Sequence, residues 1–221
     1  MLVVTLGGIF CNILAYADDI VLLAPSWGAL QYLINLLNSC ASVIDMSCNV
    51  AKTVCMVFKP SCKSKCIAPE FPAFLLNSNV LQFVNEFRYL GHVINNDFSD
   101  DDDIKREIRN IFMRSNILIR RYGKCSVNVK LALFRAYCLC LYDAGLWIHY
   151  SVTVLNKLRS CYNKCIKFFF GYSRCHSVTE MLSELGLPRF DYLFNNCVNS
   201  VKSRWTSSKN VLVEHLSSLH L

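Results

Sequence analysis

Apolar positions recur along this chain with two different periods. Near the start they alternate: Ile9, Cys11, Ile13 and Ala15 are interleaved with Phe10, Asn12, Leu14 and Tyr16, and a short β-rich run follows from Ile20 to Leu23. Period two is the pattern of a strand, so the spacing predicts two strands flanking a tight turn at Ala17-Asp18. Hydrophobicity on both sides of the turn predicts that these strands are buried. From residue 26 the period lengthens. Leu30, Leu33, Ile34, Leu37, Ala41 and Ile44 fall on one helical face, Ser26 stands where an N-cap belongs, and this helix is expected to end near Asp45.

Short β signals then return. Thr53 to Lys59 reads as a strand, residues 60 to 72 as a loop rich in Lys, Cys and Pro, and Phe74 to Leu76 with Val80 to Val84 as a hairpin around Asn77-Ser78-Asn79. Another strand is expected from Phe87 to Ile94. Beyond residue 100 the pattern is helical: Ile104 to Tyr122, Val127 to Leu146, Val152 to Phe170, Val178 to Leu185 and Phe190 to Trp205, with Gly123, Gly171 and Gly186 as stops. No internal repeat is evident. The expected fold class is α+β, with a β-rich part over 1–98 and an all-helical part over 99–221.

Composition narrows the class. With 221 residues and 53% hydrophobic content, the chain has enough apolar surface for a core. The longest apolar stretches are interrupted by charge, as at Arg135 and Asp143, so no membrane span is expected. The apolar start lacks a basic leader region and a small-residue cleavage site, which points to an intracellular protein, nuclear or cytoplasmic. The 13 cysteines are odd in number and irregular in spacing, which favours reduced thiols packed as small hydrophobes. Cys161, Cys165, Cys175 and His176 are four potential zinc ligands, but the first two sit at core spacing in a helix and no CxxC pair occurs.

Charge divides unevenly. Residues 1–100 hold 5 Lys+Arg and 7 Asp+Glu, whereas residues 101–221 hold 18 and 9. A basic helical half beside a carboxylate-bearing half suits a protein that grips a polyanion, though an ordinary solvated basic face gives the same count. Lys105, Arg106, Arg109 and Arg114, with Arg120, Arg121, Lys124 and Lys130, recur at spacings that could follow a phosphate backbone. The acidic run Asp100 to Asp103 opens the first of these helices after Ser99, where carboxylates complement the macrodipole and cap free amides. It is expected to be a cap and not part of an active site.

The candidate chemistry lies at the first turn. Asp18 and Asp19 at the tip of a hairpin would be aimed outward by rigid strands, as hard oxygen ligands of a divalent cation need to be. Asp is also a common turn residue for its own backbone preferences. Three motifs in order add to this: Tyr16-Ala17-Asp18-Asp19 on a predicted hairpin, Asn49-Val50-Ala51-Lys52-Thr53 before a strand, and Phe87-Arg88-Tyr89-Leu90-Gly91. In sequence and order they resemble consecutive motifs of the reverse transcriptases of non-LTR (LINE-type) retrotransposons.

That resemblance implies a partial polymerase palm, built from antiparallel hairpins with a packed helix, over 1–98, and a thumb-like basic helical region over 99–221. It implies RNA-directed DNA polymerase chemistry, a two-metal nucleotidyl transfer to a primer 3′-hydroxyl, with an RNA template, a DNA primer and deoxynucleoside triphosphates as partners. Asp18 and Asp19 would hold Mg2+, Lys52 would lie near the triphosphate, and Tyr16 and Ala17 near the primer end or incoming nucleotide. Phe87, Tyr89, Leu90 and Gly91 would grip the primer strand. The family's other essential aspartate lies upstream on a separate strand, and residues 1–9 carry no acid. The chain is therefore expected to be a fragment, inactive without an N-terminal polymerase region. The alternative is a noncatalytic basic module that binds nucleic acid or protein and keeps the hairpin as a remnant.

Overall fold

The computed structural model describes residues 4–6, 8–59 and 71–218. The Lys-, Cys- and Pro-rich loop expected over 60–72 lies mostly outside them. The chain is a mixed α+β protein that divides into two compact units, Met1–Glu86 with Ser208–Leu221, and Phe87–Ser207. Among the described residues no helix is long and apolar enough to cross a membrane.

The first unit combines two-stranded ladders with helices from both ends of its sequence. Strands β1 (Thr5–Leu6) and β2 (Ile9–Phe10) pair antiparallel, as do β3 (Ile13–Tyr16) and β4 (Asp19–Leu22), whose register sets Tyr16 opposite Asp19. Helix α1 (Trp27–Val43) starts as its sequence predicts, with the Ser26 side chain accepting from the Ala29 amide. Strand β5 (Val54–Cys55) is short and runs parallel to β8 (Gln82–Phe83), and β6 (Leu75–Leu76) turns back on β7 (Asn79–Val80). A small core of Ile34, Cys55, Phe74, Leu76 and Leu81 joins these pieces, and Trp27 stacks on Phe74 with ring centroids 5.9 Å apart. Gln31 fastens α1 to β6 by exchanging two hydrogen bonds with the Leu75 backbone, at 2.8 and 2.9 Å.

The β3–β4 hairpin does not have the expected burial. All four β3 residues are exposed, with Ile13 at 52% and Tyr16 at 64% relative exposure, and in β4 only Val21 and Leu22 are half-buried. The core of this unit gathers instead on α1, β5, β6 and the Phe74–Leu81 segment; Leu22 at the end of β4 packs against it, while β3 and the turn stay exposed.

The second unit begins within a hairpin, at the second residue of β9 (Glu86–Tyr89), which pairs with β10 (His92–Asn95), where periodicity alone predicts one strand from Phe87 to Ile94. The turn residues Leu90 and Gly91 both have positive φ, 48° and 91°, the backbone of a tight two-residue hairpin turn. Helix α2 (Asp101–Tyr122) packs along α4 (Val152–Phe170), with α3 (Val127–Cys138), α5 (Val178–Leu185) and α6 (Phe190–Thr206) completing the unit. Its core runs from Ile104, Ile111 and Leu118 through Phe134, Leu158, Tyr162, Ile166 and Phe169 to Met181, Phe190 and Phe194. Helix α7 (Val211–Ser218), not anticipated from the pattern, belongs to the first unit.

The helix expected over 127–146 stops at Cys138. Beyond it Leu141, Ala144 and Trp147 are buried one by one from a loop, Asp143 takes φ 60°, and residues 144–146 make a single 3-10 turn. Gly145 allows that turn to lie against α6: a Cβ there would stand 2.6 Å from the Cys197 carbonyl oxygen and 2.5 Å from Val201 Cγ2. The expected boundary at 98/99 also moves, because the β9–β10 hairpin groups with the helices. It is tied there by the acidic run at the start of α2, through the Val93 amide and the Asp103 carboxylate.

Candidate functional site

Asp18 and Asp19 stand exposed at the end of the β3–β4 hairpin, Asp18 in the turn and Asp19 as the first residue of β4. Ala17 precedes them at φ 52°, a conformation that costs an L residue with a Cβ about 1–2 kcal/mol and that glycine would adopt freely. Positive φ at the first position is what a two-residue hairpin turn demands, as at Leu90, and it fixes how Asp18 and Asp19 leave the strand. The carboxylate oxygens suit a hard cation such as Mg2+. Among the described residues, however, no group of three or more His, Cys, Asp or Glu side chains converges on a metal position.

Lys52 lies in a turn built by Asn49, whose side chain and carbonyl accept from the Lys52 amide at 3.2 Å each, immediately before β5. Its side chain is exposed, and among the described residues no hydrogen bond or ion pair joins it to Asp18 or Asp19. Phe87, Tyr89, Leu90 and Gly91 lie on the β9–β10 hairpin, Phe87 and Leu90 exposed and Tyr89 half-buried. Tyr142 closes over the tip of that hairpin. Its hydroxyl donates to the Leu90 carbonyl at 2.8 Å, and its ring lies where a Cβ on Gly91 would be only 3.0 Å away.

Behind the hairpin is a polar hub that the readings of the acidic run as a cap and of Arg106 and Arg114 as surface cations do not anticipate. Asp103, fully buried, accepts from the Val93 amide at 2.9 Å, from Arg106 Nε at 2.6 Å and Nη2 at 3.0 Å, and from Trp147 Nε1 at 2.8 Å. Asp100 accepts from the Ile148 and His149 amides at 2.7 Å each, and Asp101 from the Ser151 amide at 2.7 Å. Asp100 occupies the N-cap position but makes no side-chain cap bond. The acidic run expected to cap α2 is therefore mainly a set of tertiary anchors, pinning β10 and the segment before α4 to one helix end. Its place in the first turn still suits the macrodipole.

Electrostatics in the hub follow from burial and pairing. For Asp103, burial works against ionisation but is outweighed by Arg106, the Val93 amide and Trp147, which hold its pKa below the ordinary value. Asp100 is lowered in the same way, burial being overcome by His92 and the His149 and Ile148 amides. Glu107, fully buried, is raised because desolvation exceeds the help it gets from Arg114 and Asn110. Arg106 and Arg114 are thus committed to Asp103 and Glu107, not free for a ligand. A signal for this exists in the sequence: Asp103, Arg106, Glu107, Asn110 and Arg114 fall at i, i+3, i+4, i+7 and i+11, beside the apolar stripe of Ile104, Ile111 and Leu118.

The basic surface is correspondingly different from the expected one. Lys105 and Arg109 of α2 face Lys157 and Lys164 of α4 across a groove of about 710 Å³ that no carboxylate lines. Asn156 and Ser160 add neutral hydrogen-bonding groups along it. Lys105 also pairs with Asp102 at its edge, at 2.8 Å. The four candidate zinc ligands do not assemble. Cys161 and Cys165 are buried in the α4 core while Cys175 is exposed, and burial keeps nearby Cys138 protonated, its pKa pushed up to about 12.

No family model, curated protein or solved structure matches this chain.

Proposed function

We propose that the chain is the palm-and-thumb part of an RNA-directed DNA polymerase of the non-LTR retrotransposon type, adding nucleotides to a primer 3′-hydroxyl. The observation that carries this reading is the Tyr16–Asp19 hairpin, which puts two exposed carboxylates directly after a residue at φ 52° in the turn of a two-stranded ladder. Asp18 and Asp19 are the groups that hold Mg2+. Bound there, the ions supply activation of the primer hydroxyl and neutralisation of the triphosphate. Lys52 offsets the charge that builds on the leaving pyrophosphate. Tyr16 and Ala17 flank the primer end or incoming nucleotide. Phe87, Tyr89, Leu90 and Gly91 support the primer strand, and the groove between α2 and α4 takes the backbone of the template–primer duplex.

Two adjacent carboxylates supply only part of a two-metal centre, since each hard cation takes about six oxygen ligands. We therefore propose that a further carboxylate comes from an N-terminal polymerase region, and that activity requires it. The groove favours a second reading, a noncatalytic basic module that binds nucleic acid, because its four cations are in place whatever happens at the hairpin. Paramagnetic broadening by Mn2+ in NMR spectra of the full chain separates the two. The polymerase reading expects broadening centred on Tyr16–Ile20, strengthened by a deoxynucleoside triphosphate and lost in Asp18→Asn. Broadening confined to Asp101 and Asp102, or unaffected by Asp18→Asn, would contradict it.

A further inference from the structure

His92, the first residue of β10 and the neighbour of Gly91, sits among three carboxylates. Its Nδ1 lies 3.3 Å from Asp103 Oδ2 and 3.7 Å from Asp143 Oδ2, and its Nε2 lies 3.9 Å from Asp100 Oδ1. Nδ1 is shielded from solvent and makes no hydrogen bond of good geometry. Two of the carboxylates belong to α2 and its N-cap, the third to the segment leading into the 3-10 turn. The other charge in this environment is Arg106 on α2, which pairs with Asp103 and also acts on Asp143.

A neutral imidazole cannot satisfy this arrangement. If Nδ1 carries the proton, the Nε2 lone pair faces Asp100; if Nε2 carries it, the Nδ1 lone pair faces Asp103 and Asp143. Only the imidazolium presents a donor on both sides. Without its charge, Arg106 is the cation left to Asp103 and Asp143, Asp100 keeps its backbone amides but loses its cation, and like charges at this range repel. Asp143 would be the first to give: it sits in a left-handed conformation at φ 60°, and burial already pushes its pKa up. Tyr142, whose hydroxyl holds the Leu90 carbonyl, is its immediate neighbour.

We propose that His92 is a positioning residue that acts as a proton-operated latch: charged, it draws Asp143 and the α2 acids together and locks the Leu90–Gly91 turn beneath Tyr142. Deprotonated, it lets that turn loosen. The inference rests on side-chain geometry within one unit and stands independently of the polymerase reading. Asp100 is the largest influence on His92, burial opposes it, and Asp103 and Asp143 add to it, with the net effect that His92 is raised above its ordinary value of 6.5. The sign follows. The latch is closed below the ordinary histidine value and is released as pH rises through the higher folded value.

The test is an NMR pH titration of the full chain with amide hydrogen exchange over Gly91–Asn95, corrected for intrinsic exchange. The His92 ring should titrate above an unperturbed histidine, and protection at Val93 should fall by about tenfold as it loses its proton. In His92→Gln that pH dependence should vanish. Asp143→Asn, which removes one carboxylate and keeps the side-chain shape, should move the His92 midpoint down and the protection profile with it. Constant Val93 protection across the His92 titration, the same pH dependence in His92→Gln, or an unmoved midpoint in Asp143→Asn would each overturn the proposal. Should His92→Gln fail to fold, the Asp143→Asn midpoint decides.

Discussion

A single carboxylate, Asp103, ties three stretches of chain together: β10 through Val93, α2 through Arg106, and the segment before α4 through Trp147. Removing it leaves a buried guanidinium, an indole N–H and a backbone amide without their acceptor. Asp103→Ala should therefore cost about 3–5 kcal/mol in urea unfolding, the penalty of breaking a buried pair from one side. Asp102, beside it in sequence but partly exposed and paired with Lys105, should cost at most about 1 kcal/mol when changed to Ala. Equal effects would show that the acidic run acts as a cap after all. The same contrast explains what sequence left hidden. Four consecutive aspartates look alike in a pattern, and only the fold decides that one is in the core. Arg106 and Arg114 look like surface cations for the same reason, since their partners Asp103 and Glu107 lie on the same helix and are legible only once its buried face is known.

Among the elements, the two hairpins and the segment between α3 and α4 matter most. The turn at Ala17-Asp18 is legible because strict alternation up to Tyr16 and a new β run from Ile20 leave no other place for it. Its exposure is not, since alternation says which residues share a face but not whether anything covers that face. The break at Cys138 is hidden in the sequence because Leu139, Leu141, Ala144 and Trp147 keep a helix-like apolar spacing while packing from a loop. That loop makes two predictions. Gly145→Ala should lower stability by about 1–3 kcal/mol, because its Cβ meets the α6 backbone at Cys197, where no flexible side chain can yield. A neutral result in thermal or urea unfolding would mean the 3-10 turn moves freely over α6. Acid should open the hub as well. Asp100 and Asp103 are held below their ordinary value of 3.8, so their contribution is full above that pH and is lost as pH falls through their lower folded values. Glu107 and Asp143 are raised and act in the opposite sense. Trp147 fluorescence should report the opening below about pH 4, and the change should be smaller in Asp103→Asn, where the Asp100 titration remains but that of Asp103 is gone.

At the scale of the molecule, the uneven charge visible along the sequence becomes a specific surface. The cations that line the groove are Lys105, Arg109, Lys157 and Lys164, two from each of two helices about fifty residues apart, a pairing no local pattern displays. Charge reversal of Lys157 and Lys164 should weaken binding to a template–primer duplex and lower the slope of its salt dependence by about 0.9 for each phosphate no longer neutralised. Arg120→Glu and Arg121→Glu, at the exposed end of α2, should change it less. Equal effects from both sets would mean diffuse attraction and no groove. The α+β class and the helical second half were legible from periodicity. The grouping of β9–β10 with the helices was not, because it depends on Asp103, His92 and Tyr142 meeting across some fifty residues.

A polymerase role requires the Tyr16–Asp19 hairpin to meet a primer end. A template–primer duplex carrying a photoreactive base at the primer 3′ terminus, bound to the full chain and irradiated, tests this most directly. Mapped by mass spectrometry, crosslinks should fall on the peptides containing Tyr16–Asp19 and Phe87–Gly91. Crosslinks confined to α2 and α4, with none at either hairpin, would contradict that role and leave the chain a basic nucleic-acid-binding module.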